Sequence, residues 1–138
     1  MVKTISILGS TGSIGVNALE VISNLKNSFK INYLSTNKNI DLLISQIKEH
    51  KPKSVAVVDE LAAKRIKSAL DEMGIELLIG KVGLLDLSQR HDIDLVLNGL
   101  VGASGMQPTI NAIKAGVNVA LANNCLLYTS PSPRDGDE

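Results

Sequence analysis

Aromatic side chains are almost missing from this chain: one phenylalanine, two tyrosines and no tryptophan, 2% of 138 residues. A core without rings must be filled by Ile, Leu, Val and Ala, which suits parallel strands covered by helices on both faces. Cysteine occurs once, at Cys125, so no disulfide framework can form and a reducing cytosol is the simplest setting. Neither sign of charge is in excess, because 14 Lys and Arg balance 14 Asp and Glu. That removes the field that would draw nucleic acid or an anionic membrane surface. No apolar stretch approaches the roughly 18–20 residues needed to span a bilayer. The amino terminus enters a strand pattern at once, without a signal-peptide segment. What remains is ordinary for a soluble globular protein, 44% hydrophobic and 20% charged, and long enough for one domain with a real core. The expectation is a cytoplasmic α/β domain.

Strand-like and helix-like segments alternate along it. Thr4–Leu8 reads as a strand, followed by a helix from about Ser13 to Lys26 whose stripe is Ile14, Ala18, Val21, Ile22 and Leu25. Ile31–Ser35 is a second strand. Asp41–His50 is a helix burying Leu42, Leu43, Ile44 and Ile47, and Pro52 marks its end. Ser54–Val58 is a third strand, and Asp59 fits the N-cap of a helix that runs through Met73 and stops at Gly74. Ile75–Ile79 is a short strand, followed by a short helix near Val82–Gln89. Ile93–Leu97 is the next strand, Pro108 opens a helix through Lys114 with Gly116 as its stop, and Val117–Leu121 is the last strand. Strands joined by helices of this length predict right-handed crossovers and a doubly wound parallel sheet of the Rossmann-like, dinucleotide-binding kind.

The first strand, Ile5-Ser6-Ile7-Leu8, stops in Gly9-Ser10-Thr11-Gly12-Ser13-Ile14-Gly15. A buried strand that turns through glycines into a helix presents bare backbone N–H groups to a phosphate. Gly9 permits the tight turn, Gly12 lets a pyrophosphate reach the backbone, and Gly15 lets the helix pack close to the sheet. Thr11 and Ser13 add hydroxyl donors where the helix dipole is positive. An NAD site places Asp or Glu at the end of the second strand, to accept from the ribose 2′-hydroxyl. Here Ser35, Thr36, Asn37, Lys38 and Asn39 stand there, with no carboxylate before Asp41. Such a segment offers donors and a positive charge, which favours a 2′-phosphate and hence NADPH over NADH.

Gly99, Gly102 and Gly105 repeat the three-residue spacing after a later strand, and Asn123 follows the last strand on the same edge. Both fit loops that converge on the ligand crevice at the carboxyl ends of strands. His50 reads as a charge partner for a helix C-terminus. His91, Asp92 and Asp94 enter a strand at the end away from that crevice, so no metal site and no catalytic residue is assigned. Asp59, Glu60, Asp71 and Glu72 read as caps and solvated faces.

Four segments in order, Ile7–Gly15, Asn37–Asn39, Val101–Thr109 and Ala120–Asn123, closely resemble the amino-terminal NADPH-binding domain of the 1-deoxy-D-xylulose 5-phosphate reductoisomerases. The likeness covers residues 1–123. It implies an oxidoreductase of the non-mevalonate isoprenoid pathway, in which Mg²⁺ or Mn²⁺ holds a phosphorylated sugar while its skeleton rearranges. NADPH then delivers hydride to give 2-C-methyl-D-erythritol 4-phosphate. By matched position it implies that Thr11, Gly12, Ser13 and Ile14 hold the cofactor phosphates, that Asn37, Lys38 and Asn39 surround the 2′-phosphate, and that Asn123 lies near the nicotinamide. It further implies a homodimer; that no nucleic-acid or membrane partner is expected rests on the balanced charge. Many members carry glycine where this chain has Asn37.

The family continues Ala-Asn-Lys-Glu-Ser, whereas Asn124 and Cys125 stand here in place of the Lys-Glu pair. The run from Cys125 to Asp135 can be encoded by the transposon adapter of sequencing libraries, so residues 124–138 read as a foreign or disordered tail. The expectation is a cofactor-binding fragment, inactive alone, whose metal site, lid and carboxy-terminal helical domain lie beyond it. Two other readings are weighed: the cofactor domain of another NADPH oxidoreductase, and a stand-alone nucleotide-binding regulatory domain.

Overall fold

The computed structural model describes residues 2–25, 28–100, 108, 110, 116, 118–121 and 126–128. Within them the chain runs β1 (Lys3–Leu8), α1 (Ser13–Ser23), β2 (Phe29–Thr36), α2 (Ile40–His50), β3 (Ser54–Val57), α3 (Glu60–Met73), β4 (Glu76–Ile79), α4 (Gly80–Ser88), β5 (Leu95–Asn98), β6 (Asn118–Leu121) and β7 (Leu126–Tyr128). The strands form one sheet in the order β4-β3-β2-β1-β5-β6-β7. β1 to β6 pair in parallel, and β7, an element not foreseen in the sequence, lies antiparallel against β6. The chain first walks outward from β1 to β4, then returns to the other side of β1 as β5. That reversal is the topological switch point of a doubly wound sheet, where ligands enter at the strands' carboxyl ends.

Alternation along each strand builds a core on both faces. Ile5, Ile7, Leu34, Val55 and Val57 point to one side, where Leu19 and Ile22 of α1, Leu43 and Ile47 of α2, and Ile66 and Leu70 of α3 cover them. Leu8, Tyr33, Ala56, Val96 and Val119 face the other way, against Leu84 and Leu87 of α4. Helix ends follow the capping chemistry. The Asp59 carboxylate accepts from the Ala62 amide at 3.0 Å, and Gly74 closes α3 in the left-handed region at φ 72°. α2 is closed by Lys51 at φ 49°, directly before Pro52.

Several expectations need correction. The buried face of α1 is Gly15, Leu19 and Ile22, while Val21 and Leu25 are exposed. Gly15 carries no side chain, so the helix leans its glycine against the loop before it, and this rotates the expected stripe away from the sheet. The helix also ends at Ser23 and not Lys26, because Asn24 and Leu25 donate back three residues, to Val21 and Ile22, in tight turns. In α2 the buried set is Leu43, Gln46 and Ile47, with Leu42 and Ile44 only half-buried. β5 begins at Leu95, two residues late, because the preceding acids are held elsewhere. Asp94 accepts from the Thr4 amide at 2.8 Å, and Asp92 accepts from the Tyr33 hydroxyl at 2.7 Å. β1 and β2 slip register between Ile5 and Ser6, leaving Asn32 as an extra residue in β2. Gly102, Gly105 and most of the helix expected from Pro108 lie outside the described residues; Pro108 and Ile110 are helical. Among the described residues no helix is long and apolar enough to cross a membrane.

Candidate functional site

β1 delivers the chain to the switch point, and Gly9 turns it there at φ 75°. The loop that follows is laid along the end of β2 by a row of hydrogen bonds. The Gly9 amide donates to Ser35 Oγ at 2.8 Å, the Ser10 amide donates to the Ser35 carbonyl at 2.8 Å, and the Thr11 and Thr36 hydroxyls meet at 2.6 Å. Ser10 is fully buried, and its hydroxyl donates to Oε1 of Gln46 at 2.8 Å while the Gln46 amide nitrogen donates to its carbonyl at 2.8 Å.

The three glycines of this loop have different reasons to be glycine. Gly9 is in the left-handed region, where a side chain is strained. A Cβ on Gly15 would overlap the Gly9 carbonyl oxygen and approach Ser10 Cα at 2.6 Å, so only glycine lets the helix pass beneath the loop. Gly12 has neither excuse. Its φ of −75° and ψ of 170° suit any residue, and a Cβ there would meet only the Gly9 oxygen at an ordinary 3.5 Å. What glycine leaves open at Gly12 is the approach from outside. That approach leads to the first-turn amides of α1, which lack intrahelical partners and receive no side-chain cap from Gly12. Thr11 and Ile14 are half-buried and Gly12 and Ser13 exposed, so the rim of this helix N-terminus is open to solvent.

The second glycine stretch closes on the first. The Gly99 amide donates to the Leu8 carbonyl at 2.9 Å, and the Leu100 amide to Asn98 Oδ1 at 2.9 Å. A Cβ on Gly99 would lie 3.2 Å from the Leu8 oxygen, so the ends of β1 and β5 meet backbone to backbone at the crevice floor.

Asn37, Lys38 and Asn39 leave the end of β2 exposed to solvent. Their backbone is anchored, because the Asn37 carbonyl accepts from the Asp59 amide at 2.8 Å and Asn39 Oδ1 caps α2 through the Leu42 amide at 3.3 Å. Among the described residues no acid pairs with the Lys38 ammonium. Ser35 and Thr36, read from the sequence as phosphate donors, are buried and spent on Gly9, Ser10 and Thr11 instead. They support the loop and do not face a ligand. Asn123 lies outside the described residues.

Gln46 escaped the sequence reading. The available signal was a polar residue at an apolar-stripe position, between Leu43 and Ile47.

At the opposite ends of the strands lies a polar cluster of a different kind. Arg90 grips Glu76 at 2.9 and 3.3 Å, stacks 5.5 Å over the Tyr33 ring, and lies beside Ser54, whose hydroxyl donates to Glu76 at 2.7 Å. The guanidinium and the Ser54 hydroxyl hold the Glu76 carboxyl below its ordinary pKa. Burial and the bond to Asp92 hold the Tyr33 phenol above its own. These partners serve one another and leave nothing aimed at a ligand. Among the described residues, no three His, Cys, Asp or Glu side chains converge to hold a metal ion.

The comparisons point the same way. Residues 5–130 match the family model described as 1-deoxy-D-xylulose 5-phosphate reductoisomerase. A curated reductoisomerase of that name from Chloroherpeton thalassium is 46% identical over 121 residues, covering 88% of this chain and 31% of that protein. The solved enzyme from Zymomonas mobilis in complex with NADPH superposes with a TM-score of 0.82 at 28% identity, over 88% of this chain and 32% of that one. A reductoisomerase solved with NADPH, fosmidomycin and magnesium gives 0.77 at 26% identity, over 86% and 29%. The chain thus spans about a third of the length of the relatives it matches.

Proposed function

The chain belongs to the 1-deoxy-D-xylulose 5-phosphate reductoisomerase family, and on that premise we propose that it binds NADPH across the ends of β1 and β5 as the cofactor domain of such an enzyme. The observation that carries this reading is Gly12, a glycine that nothing inside the protein requires, at the uncapped start of α1. A pyrophosphate there passes over Gly12, whose own amide donates to the Gly9 carbonyl at 3.1 Å, and takes the amides of Ser13 and Ile14 and the hydroxyls of Thr11 and Ser13, with the helix dipole favouring its charge. Asn37, Lys38 and Asn39 receive the adenine-ribose 2′-phosphate, Lys38 by charge and the two asparagines by their amide N–H groups. Asn123 is assigned to the nicotinamide end.

Bound NADPH supplies hydride; this chain's residues bind and orient it, and their tie to the buried end of β2 keeps the cradle in one shape. The reaction proposed for the whole protein is conversion of 1-deoxy-D-xylulose 5-phosphate to 2-C-methyl-D-erythritol 4-phosphate. Its divalent metal finds no ligand set among the described residues, and no step is assigned to it here. A cytoplasmic homodimer is the setting we propose. Residues 124–138 we assign to adapter-derived sequence, of which Leu126–Tyr128 add to the sheet's edge as β7; different codons across 125–135 in the coding DNA would remove this reading. Calorimetric titration with NADPH and NADH tests the site itself: binding of NADPH with clear preference over NADH is expected, and no heat with either overturns it.

A further inference from the structure

In the middle of α2 the polar residue Gln46 is 7% exposed, among Leu43 and Ile47. A glutamine on an apolar stripe costs stability unless both ends of its amide are satisfied. Here both are, and by a single residue. Nε2 donates to the Ser10 carbonyl and Oε1 accepts from the Ser10 hydroxyl, each at 2.8 Å. Ser10 is the residue between Gly9 and Thr11, so the amide grips the middle of the phosphate loop.

The other end of the same helix is Asn39, whose side chain caps α2 and which ends the segment Asn37–Asn39. α2 is therefore a stiff rod with the proposed pyrophosphate cradle latched near its middle and the proposed 2′-phosphate segment at its start. Leu43 and Ile47 hold α2 to the sheet by apolar contact, which is non-directional and tolerates sliding. The two-point amide grip on Ser10 is directional and fixes the register of helix against loop. A ligand that binds both poles at once needs that register; a ligand that binds only the cradle does not.

We propose that Gln46 is a positioning residue that locks the 2′-phosphate segment to the pyrophosphate loop and so sets preference for NADPH over NADH. The proposal rests on the NADPH reading of the site. An amide is the required group, since it offers one donor and one acceptor in a single plane; a carboxylate would turn a charged oxygen onto the Ser10 carbonyl.

The test compares dissociation constants for NADPH and NADH in the chain and in Gln46→Met, which keeps the buried volume and removes both bonds. NADPH binding is expected to weaken at least about tenfold and NADH binding by no more than about threefold, so that the preference collapses. A lower melting temperature with unchanged preference, or equal weakening of both cofactors, would overturn the proposal, because a purely structural glutamine does either. Should Gln46→Met not fold, Ser10→Ala removes the hydroxyl arm, with that hydroxyl's 3.2 Å contact to the Ser35 carbonyl, keeps the Gln46 bond to the Ser10 carbonyl, and is expected to shift preference in the same direction by less; an unshifted preference there also overturns it. An unsubstituted chain that binds neither cofactor fails the site itself, and this proposal with it. Firm NADPH binding beside a variant of unaltered preference fails the role of Gln46 only.

Discussion

Gly15 passes directly under Gly9: any Cβ on the helical residue would overlap the carbonyl oxygen of the loop residue and press on Ser10 Cα at 2.6 Å. Backbone cannot yield there, because the Ser10 amide is bonded to the Ser35 carbonyl and its own carbonyl to Gln46. Gly15→Ala is expected to destabilise the fold by about 2 kcal/mol through overpacking. Chemical denaturation reads this directly, and a loss within experimental error would show that α1 can move off the loop.

Gly12→Ala is the opposite case. Its backbone angles suit alanine and the added methyl meets nothing closer than 3.5 Å, so stability is expected to fall by less than about 1 kcal/mol. A methyl over the first-turn amides blocks the approach of a phosphate, and NADPH affinity is expected to drop at least about tenfold. Paired denaturation and calorimetry separate the two effects. Retained affinity would move the pyrophosphate elsewhere.

This contrast also marks what the sequence could reveal. Elements punctuated by local chemistry were legible: α3 runs between Asp59 and Gly74 as capping rules require, and α2 stops before Pro52. The glycine loop was legible as a strand–turn–helix junction because its punctuation is local, with β1 ending at Leu8 and α1 starting at Ser13. What escaped depends on contacts far apart in the chain. Ser35 and Thr36 have the chemistry of phosphate donors, and only the path of the loop 25 residues upstream shows that they are spent on it. Gln46 was not singled out because its partner, Ser10, is 36 residues away. The face of α1 was misjudged because periodicity counts apolar side chains, and the residue that sets this helix's rotation has none.

The cluster around Arg90 gives stability a dependence on pH at both extremes. Glu76 has its pKa lowered from 4.5 in the folded chain, so it stabilises above that value and the contribution disappears as pH falls through the folded pKa. Glu76→Gln is expected to flatten part of the acid limb, modestly, since the carboxylate is half exposed. Tyr33 has its pKa raised from 10.0, so its contribution is present below that pH and is lost as pH climbs through the folded value. The deficit of Tyr33→Phe relative to the unsubstituted chain should therefore shrink in alkali. Denaturation midpoints measured across pH check both, and parallel curves for variant and parent would refute them.

Asp59 holds α3 from outside its first turn, and the Asp59 amide donates to the Asn37 carbonyl at 2.8 Å. Asp59→Ala removes the cap on the Ala62 amide and is expected to cost about 1 kcal/mol. Because the backbone bond to Asn37 survives, cofactor preference should not change. A changed NADPH-to-NADH ratio in this variant would mean that α3, and not α2 alone, sets the 2′-phosphate segment.

Lys38 is the cation by which the proposed site tells the two cofactors apart. It stands exposed at the end of β2, flanked by Asn37 and Asn39 and without an acid partner among the described residues. An unpaired ammonium contributes nothing to NADH, whose 2′-hydroxyl is neutral, but attracts a 2′-phosphate carrying nearly two charges. Lys38→Met is therefore expected to weaken NADPH about tenfold at low salt and to leave NADH unchanged. Because the site is open to solvent, the difference between parent and variant should narrow as ionic strength rises and the Debye length falls to about 3 Å at 1 M salt. Two titrations per cofactor, at low and high salt, decide it. A loss that is the same for NADPH and NADH, or that ignores salt, would take Lys38 out of the 2′-phosphate site and leave Asn37 and Asn39 to account for any preference that remains.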